Sequence, residues 1–566
     1  MLFFISLTSY AQVDFTSSNL PIVVLNTDGQ EIVDEPKINI TMGIIDNGPG
    51  NRNNLTDPFN DFEGTVGIEI RGSTSQRYPK KQYSVEVRDA EGEDLSVSLL
   101  GMSKEADWVL QAPYSDKSLM RNILAYQLGR SLGHYAPRTR LCEVVLNGDY
   151  QGVYVLMEKI KRDKDRVDIA KLKEDDLSGE DVTGGYIIKI DKDNTRTEEF
   201  WTSPYAPPHG TSDQKIRFRY EYPSWDKIAP EQKTYIQDYV GAFEDALAGD
   251  NFTDPEEGYA QYIDVNSFID FFIVNEVSKD IDAYRLSTYL YKQKSTDGGK
   301  LFMGPLWDYN FSFGNVDYCV DSGPEGLAMD FGKTCPEEYW LAPFWWERLL
   351  EDSAYTEQLA VRWAELRGGQ LSTERVMGHI DSVATLLNQE AQQRNFTRWP
   401  ILGEWVWPNA YVGQTYQEEV DYMKNWTSER LAWLDETFPQ PTVVTDTVPT
   451  DTVPTDTIPT DPPPAEPPAD TVVTSIDTED VSEQPKVYPI PFGDELVVEF
   501  AAHRPGTVAI RLHDLLGRDI LHTTSYRPVA GRQQLSLDTS VFPPGIYVLQ
   551  LQVGNQPVIV RKVRKR

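Results

Sequence analysis

Cysteine is scarce: three in 566 residues, Cys142, Cys319 and Cys335, too few for a disulfide framework and without the short paired spacings of a zinc site. Positive charge is short as well. Against 88 acidic side chains stand 53 basic ones, a formal net charge of −35, and a field of that sign repels nucleic-acid backbones and anionic lipid. This excludes nonspecific nucleic-acid binding, so any phosphate site has to be a local basic exception. Long apolar runs are missing too, and with no stretch near the roughly 20 residues of a membrane span, no transmembrane segment is expected. The opening MLFFISLTSYAQ has a short apolar run and a small-residue site before Gln12 but no basic start, and reads as the end of a secretory signal over residues 1–11.

What is present is enough apolar and aromatic material, 40% and 11%, to fill large cores in a chain long enough for several modules. Short apolar runs between Asn19 and Met42 read as strands, and GTVGIEIRG alternates Val66, Ile68 and Ile70 on one face. That strand runs into RGSTSQRYPKKQYSVEV, where Gly72, the hydroxyls of Ser73, Thr74 and Ser75, and then Lys80 and Lys81 precede a strand with Tyr83, Val85 and Val87 on one face. Such a turn can cradle a polyphosphate through backbone N–H groups and ammonium charges. It matches neither the P-loop nor the dinucleotide fingerprint, and a plain hairpin with solvated lysines explains it as well.

Asp116 to Gly133 reads as a helix with Asp116 as its cap, Asn147-Gly148 as a hairpin turn, and Glu158 as a charge among apolar neighbours that needs a partner. Cys142, flanked by apolar residues, reads as a buried small hydrophobe. Thr183–Asp191 gives another strand, and Ala229–Gly249 and Asp264–Lys279 read as helices. Two strands, STYLYKQ and KLFMGPLW, then flank a turn over 295–299. In an antiparallel hairpin the residue before the first strand and the residue after the second share one open end, so Asp282 and Asp308 are expected to be neighbours. One carboxylate to hold a metal and one to orient a nucleophile is a catalytic pattern. Asp308 and Asn310 are the oxygen ligands such an ion needs, with a turn cap as the simpler alternative for Asp308. From about Glu337 to Thr437 helices dominate, with nine tryptophans from Trp340 to Trp433 that read as core rather than as a sugar-binding stripe. Cys319 and Cys335 bracket an irregular stretch that a disulfide would clip in an oxidising compartment.

Residues 439–485 change character: TDTVP-type repeats and PPPAEPPAD, with ten acidic residues and no basic one in 441–485, read as an extended, disordered, self-repelling linker. From 486 to 566 short strands and turns suit a small antiparallel β-sandwich ending in RKVRKR.

Six blocks in order, RGSTSQRYPKKQY, DWVLQAPYSDKSLMRN, LNGDYQGVYVLMEKIKRDKDRVDI, TGGYIIKID, NEVSKDIDAYRLSTYLYK and GPLWDYNFSFG, resemble the CotH kinase family of atypical protein kinases over roughly residues 19–438. The last segment, with VYPIPF, LLGRDIL and GIYVLQL before a basic end, is similar to a type IX secretion sorting domain. The resemblance implies an α+β, atypical protein-kinase-like two-lobed domain: a strand-rich N-lobe over 12–204 and a helical C-lobe over 205–438, followed by the linker and the sandwich. It implies ATP and Mg²⁺, or Mn²⁺, as cofactors, Asp282 as the catalytic carboxylate, Asp308 as the metal ligand, and Lys80 or Lys81 as a phosphate contact. Glu158 is implied as a nucleotide-lobe contact or ion pair. Asn310 stands where many relatives carry Asp, and Ser287 where protein kinases place a metal-binding Asn. The pairing of domains implies a Bacteroidetes-like bacterium, Sec export to the periplasm, and engagement of the type IX machinery through 486–566. The protein would then be secreted or held at the outer-membrane surface.

Three functions fit these residues. The first is a secreted kinase acting on Ser/Thr hydroxyls of an extracytoplasmic protein. The second is a noncatalytic surface or coat protein on a kinase-like scaffold. The third, a carbohydrate-processing enzyme, requires paired carboxylates about 5 to 10 Å apart in a tryptophan-lined cleft.

Overall fold

The computed structural model describes residues 12–192, 199–211, 213–319, 321–441 and, within 486–565, the strands and Thr539. The expected signal over 1–11 and nearly all of the expected linker, 442–485, lie outside the described residues. The chain forms two compact units, 1–441 and 442–566, of mixed α and β content.

The first unit begins with a closed barrel. Its strands are β1 (Ile22–Asn26), β2 (Ile38–Ile45), β3 (Phe62–Ile70), β4 (Tyr83–Arg88), β5 (Asp107–Gln111), β6 (Thr139–Leu146) and β7 (Asp149–Glu158), in the order β1-β2-β3-β4-β5-β7-β6. The parallel pairing of β1 with β6, Ile22 opposite Glu143, closes it. The expected alternation holds along β4, where Tyr83, Val85 and Val87 are buried and Ser84, Glu86 and Arg88 are not, because successive side chains point to opposite faces of a strand. Asn147 and Gly148, at φ 51° and 79°, join β6 to β7 in the left-handed conformation that a two-residue hairpin turn favours. Cys142 is fully buried inside the barrel.

Helix α1 (Arg121–Ser131) lies on the barrel, its Leu124, Tyr126 and Leu128 in one core with Val109, Val155 and Met157. It starts five residues later than the sequence suggests, because Leu119 takes φ 62° and breaks the helical run. Asp116 instead organises the preceding turn, accepting the backbone N–H groups of Ser118 and Arg121 at 3.1 and 2.9 Å.

A five-stranded antiparallel sheet follows, built of β8 (Tyr186–Ile190), β9 (Phe200–Thr202), β10 (Arg217–Tyr222), β11 (Thr288–Lys292) and β12 (Leu301–Met303) in the order β9-β10-β8-β11-β12. Helices α2 (Pro230–Ala248) and α3 (Val265–Ser278) come between β10 and β11. Proline stands at the first position of α2, and α3 begins where expected, with Asp264 capping it through the Ser267 N–H at 2.8 Å. All but two residues of α3 are buried, its polar Asp270, Asn275 and Glu276 included. Helices α4 (Ser353–Arg367), α5 (Thr373–Asn388), α6 (Ala391–Arg398) and α7 (Tyr416–Thr437) complete this unit. Trp345, Trp346, Trp363, Trp399 and Trp426 are buried as core, whereas Trp405 and Trp407 are exposed.

The second unit holds two antiparallel sheets. One joins β13 (Lys486–Tyr488), β14 (Glu495–Ala502) and β17 (Gly531–Asp538). The other joins β15 (Val508–Asp514), β16 (Asp519–Tyr526), β18 (Gly545–Val553) and β19 (Ile559–Lys565).

One contact ties helix packing to the loop after β12. A Cβ at Gly129 in α1 would lie 2.5 Å from Cδ1 of Leu306, so the glycine admits Leu306 against the helix. Alanine there gains up to about 1 kcal/mol of helix propensity and loses about 1–3 kcal/mol to overpacking. Gly129→Ala should therefore lower the melting temperature in calorimetry, and a rise would show that Leu306 relaxes freely.

Candidate active site

Because neighbouring strands in this sheet are antiparallel, the end of β8, the start of β11 and the end of β12 fall on the same edge: Ile190 lies opposite Thr288, and Leu290 opposite Met303. Asp191 follows β8, Asp280 and Asp282 precede β11, and Asp308 follows β12. Four carboxylates thus converge from three loops.

Their charges feel one another. Asp308 keeps an accessible surface, yet desolvation by surrounding protein is the largest cause of its shift. Its carboxyl is pushed up to about 6 by this desolvation and then by the Asp282 charge, with Arg71 and Lys192 opposing. Asp280, 3% exposed, is pushed well above the carboxylate range, first by burial and then by Asp282 and Asp308. Its Oδ1 has no hydrogen-bond partner. Burial also raises Asp191, against Lys189 and the backbone N–H groups of Lys192 and Ser287.

Each loop is held from behind. Arg285, itself buried, donates to Oδ1 of Asp282 at 2.6 Å and to the Ile281 and Trp340 carbonyls at 2.7 and 3.2 Å, and packs over the Phe331 ring at 4.0 Å. The Asp308 loop rests on α1: the N–H of Asp308 donates to the Tyr126 hydroxyl at 3.0 Å and that of Tyr309 to Asn122 at 2.6 Å. Arg121 donates to the Ser312 carbonyl at 3.0 Å. The Tyr309 hydroxyl reaches Asn275 of α3 at 2.8 Å. Asp308 itself takes φ 66°, and Lys279, Tyr284, Ser287, Phe313 and Cys319 also have positive φ, a concentration of costly backbone that clusters at functional sites.

The remaining sequence candidates separate. In the glycine-hydroxyl loop, Gly72 at φ 101° makes the turn, Ser73 is exposed, and Ser75 accepts from Gln82 at 2.7 Å. The residue of this loop that faces the carboxylates is its first, Arg71, whose guanidinium lies 5.3 Å over Trp307 and opposes the rise of Asp308. Lys80 does not share that role. It is 2% exposed and donates to the Val153 carbonyl and Asn395 at 2.5 and 2.9 Å. Burial pushes its ammonium down to about 7, and the charges it feels are Cys142 and Glu143. Barrel closure turns this lysine inward. Lys81 donates to the Gln76 carbonyl at 2.6 Å and braces the loop. Glu158 is fully buried with both oxygens taken, by Arg138 at 2.9 and 3.0 Å and by Arg166 at 3.7 Å, which makes it the ion-paired carboxylate of the barrel rim. Asn310 lies two residues beyond Asp308, its carbonyl accepting from Asn315 at 2.8 Å.

Arg71, Asp191, Lys192, Asp280 and Arg285 were not picked out by sequence. Asp191 had a signal, an acidic residue ending an apolar strand as Asp308 does, but the neighbourhood of β8 and β11 is a long-range pairing no local pattern carries. Among the described residues no group of three or more His, Cys, Asp or Glu side chains is arranged to hold a metal, and no helix is long and apolar enough to cross a membrane.

A carboxyl raised in the folded state is ionised at a cost. That cost appears as pH climbs past the unfolded value near about 3.9 and is complete above the folded value of about 6. Asp308→Asn, a neutral isostere, should therefore raise the melting temperature in chelator-containing buffer at pH 8 and do so less at pH 5. A lower melting temperature at both would show that the charge is already compensated.

The family described as CotH kinase protein matches residues 68–434, and the secretion system C-terminal sorting domain matches 486–566. No curated protein matches the chain. The first match contains Arg71, all four carboxylates and the loops that hold them, and it spans more than half the sequence: the chain belongs to the CotH kinase family and carries a type IX secretion sorting domain at its C-terminal end.

Proposed function

We propose that the protein is a secreted kinase that transfers the γ-phosphate of ATP to Ser/Thr hydroxyls of an extracytoplasmic protein, on an atypical kinase-like two-lobed scaffold. The observation that carries this reading is the convergence of Asp282 and Asp308 on one sheet edge with Arg71 and Lys192 beside them. In this reading Asp282 is the catalytic residue. Arg285 occupies its Oδ1 and fixes its orientation, which leaves Oδ2 to accept the hydrogen bond of the acceptor hydroxyl and orient that oxygen toward the phosphorus. Arg71 and Lys192 supply the local positive charge that a polyphosphate needs in a chain of net charge −35.

The residues fit a divalent cation, Mg²⁺ or Mn²⁺. Asp308 presents a carboxylate whose ionisation is disfavoured where it stands, and Asp280 has an orphaned buried oxygen beside it. Asp308 would hold the ion, with phosphate oxygens and water as its other ligands, as is usual for Mg²⁺. When bound, the ion shields phosphate charge during transfer. Asn310 contributes no charge, and Ser287 offers only a neutral hydroxyl where protein kinases place a metal-binding Asn, which together favour the second reading, a noncatalytic binding protein on the same scaffold. The sorting domain implies engagement of the type IX machinery and an exported protein, and we propose Sec export to the periplasm as the preceding step.

The test is transfer of labelled phosphate from ATP with Mg²⁺ or Mn²⁺ to candidate surface proteins by the full chain. Asp308→Ala and Asp282→Asn should each lower the rate by about 100-fold or more. Arg71→Ala should raise the KM for ATP more than it lowers kcat. Wild-type transfer no greater than that of Asp308→Ala would remove the enzyme reading. A rise in melting temperature with ATP and metal but without transfer would favour the binding protein.

A further inference from the structure

Between the Asp308 loop and α4 runs a segment, 321–335, that is irregular as far as Leu327, closes in short helical turns over Ala328–Asp330 and Phe331–Thr334, and is tied by a disulfide between Cys319 and Cys335, with Cα atoms 5.6 Å apart. It is gripped along its length by charged side chains from buried helices. Lys279, the residue immediately after α3, donates to the carbonyls of Asp321 and Gly323 at 2.9 Å each and to that of Glu325. Arg430 of α7 donates to the carbonyls of Pro324 and Gly326 at 2.7 and 2.6 Å. Glu276 of α3 accepts the N–H groups of Ala328 and Met329 at 2.7 and 3.1 Å, as well as the Tyr284 hydroxyl at 2.9 Å.

The same segment supports Asp282. Phe331 lies under the Arg285 guanidinium at 4.0 Å, and Trp340, just beyond the second cysteine, accepts from Arg285 at 3.2 Å. Tyr318, next to the first cysteine, is near enough to Asp282 and Arg285 for its ionisation to feel both. Lys279 is thus joined to the active turn twice. It is the covalent start of Asp280–Asp282, held at φ 44°, and through its three carbonyl partners it fixes the segment on which Arg285 packs.

We propose that Lys279 is a positioning residue for the phosphoryl transfer, and that the Cys319–Cys335 disulfide, by holding the carbonyl cradle of Lys279 closed, makes that positioning depend on oxidation. The proposal rests on the kinase reading for its catalytic consequence. The chemistry is thiol–disulfide exchange. Formation releases two protons and passes two electrons to a partner disulfide, which becomes two thiols. A dithiol reductant returns two electrons and two protons and is itself oxidised to a disulfide. A chain made in a reducing compartment would have its segment untied and its Asp282 loosely held, and would gain full activity where disulfides persist.

Amide hydrogen exchange over 280–287 reads the coupling without reference to catalysis, and the kinetics of transfer read its consequence. In the full-length protein, treatment with excess dithiothreitol, the double variant Cys319→Ser/Cys335→Ser, and Lys279→Met should each speed exchange over 280–287 while leaving the barrel strands unchanged. Each should also lower kcat at least about tenfold, with the KM for ATP within about twofold. Lys279→Arg, which can also donate to carbonyls, should recover most of both. Unchanged exchange over 280–287 in reduced wild type and in Lys279→Met overturns the proposal, as does a kcat that survives both treatments. Faster exchange in a protein whose oxidised form transfers no phosphate would defeat the kinase reading and leave the coupling standing.

Discussion

Desolvation of carboxylates gathered at one edge of the five-stranded sheet, with their mutual repulsion added, is the constraint on which the rest of this structure depends. Two unit charges about 6 Å apart at an effective dielectric near 20 repel by about 3 kcal/mol, and here four partly desolvated carboxylates converge from three loops. The fold answers with fixed donors and cations: Arg285 on Asp282, the N–H groups of Lys192 and Ser287 on Asp191, and Arg71 and Lys192 facing Asp308. Compensation is incomplete, since the carboxyls of Asp308, Asp280 and Asp191 all remain raised. A site left short of positive charge is disposed to take up a cation, and natural proteins accept such local instability where function needs it.

Much of this arrangement is legible in the sequence, and the part that is follows from local rules. The hairpin formed by β11 and β12 brings Asp282 and Asp308 together because antiparallel pairing leaves its two outer ends at one place. The start of α3, the proline of α2 and the Asn147-Gly148 turn are equally local. What is not legible depends on which distant strands are neighbours. Asp191 joins the site only because β8 pairs with β11 across two helices. Lys80 stands nine residues from Arg71 in the same basic block, yet closure of the barrel carries its ammonium to Val153 and Asn395. Arg71 ends a strand whose alternation, Val66, Ile68, Ile70, puts it on the opposite face, toward Trp307. The need of Glu158 for a partner was readable; that Arg138 and Arg166 supply it was not.

Helix α1 shows how a long-range support can hide in a segment that looks purely structural. Its buried polar residues, Arg121 and Asn122, are poor choices for a helix that only fills a core, since each must find a partner or pay for desolvation. They find partners in the backbone of the Asp308 loop, with Tyr126 accepting from Asp308 itself. The block DWVLQAPYSDKSLMRN therefore contributes to the site without touching a ligand, by fixing where the Asp308 carboxylate stands.

The backbone carries the same signature. Among the described residues, Lys279, Tyr284, Ser287, Asp308, Phe313 and Cys319 hold positive φ within one stretch of chain, a conformation that costs a non-glycine residue about 1–2 kcal/mol. Such geometry persists only where surroundings over-determine it, and all six are visibly held, Tyr284 by Glu276 at 2.9 Å. Lys279 is held by its carbonyls, Ser287 by Asp191 and Asp308 by Tyr126. Phe313 is held by the Ser278 carbonyl at 2.7 Å, and Cys319 by its disulfide. The cost of placing the two loops is therefore met by folding and not at the moment a ligand arrives, which is what preorganised electrostatics requires. The disulfide belongs to this logic as well as to global stability. It closes a short segment whose departure would release Lys279 and unseat Arg285, and with them the orientation of Asp282.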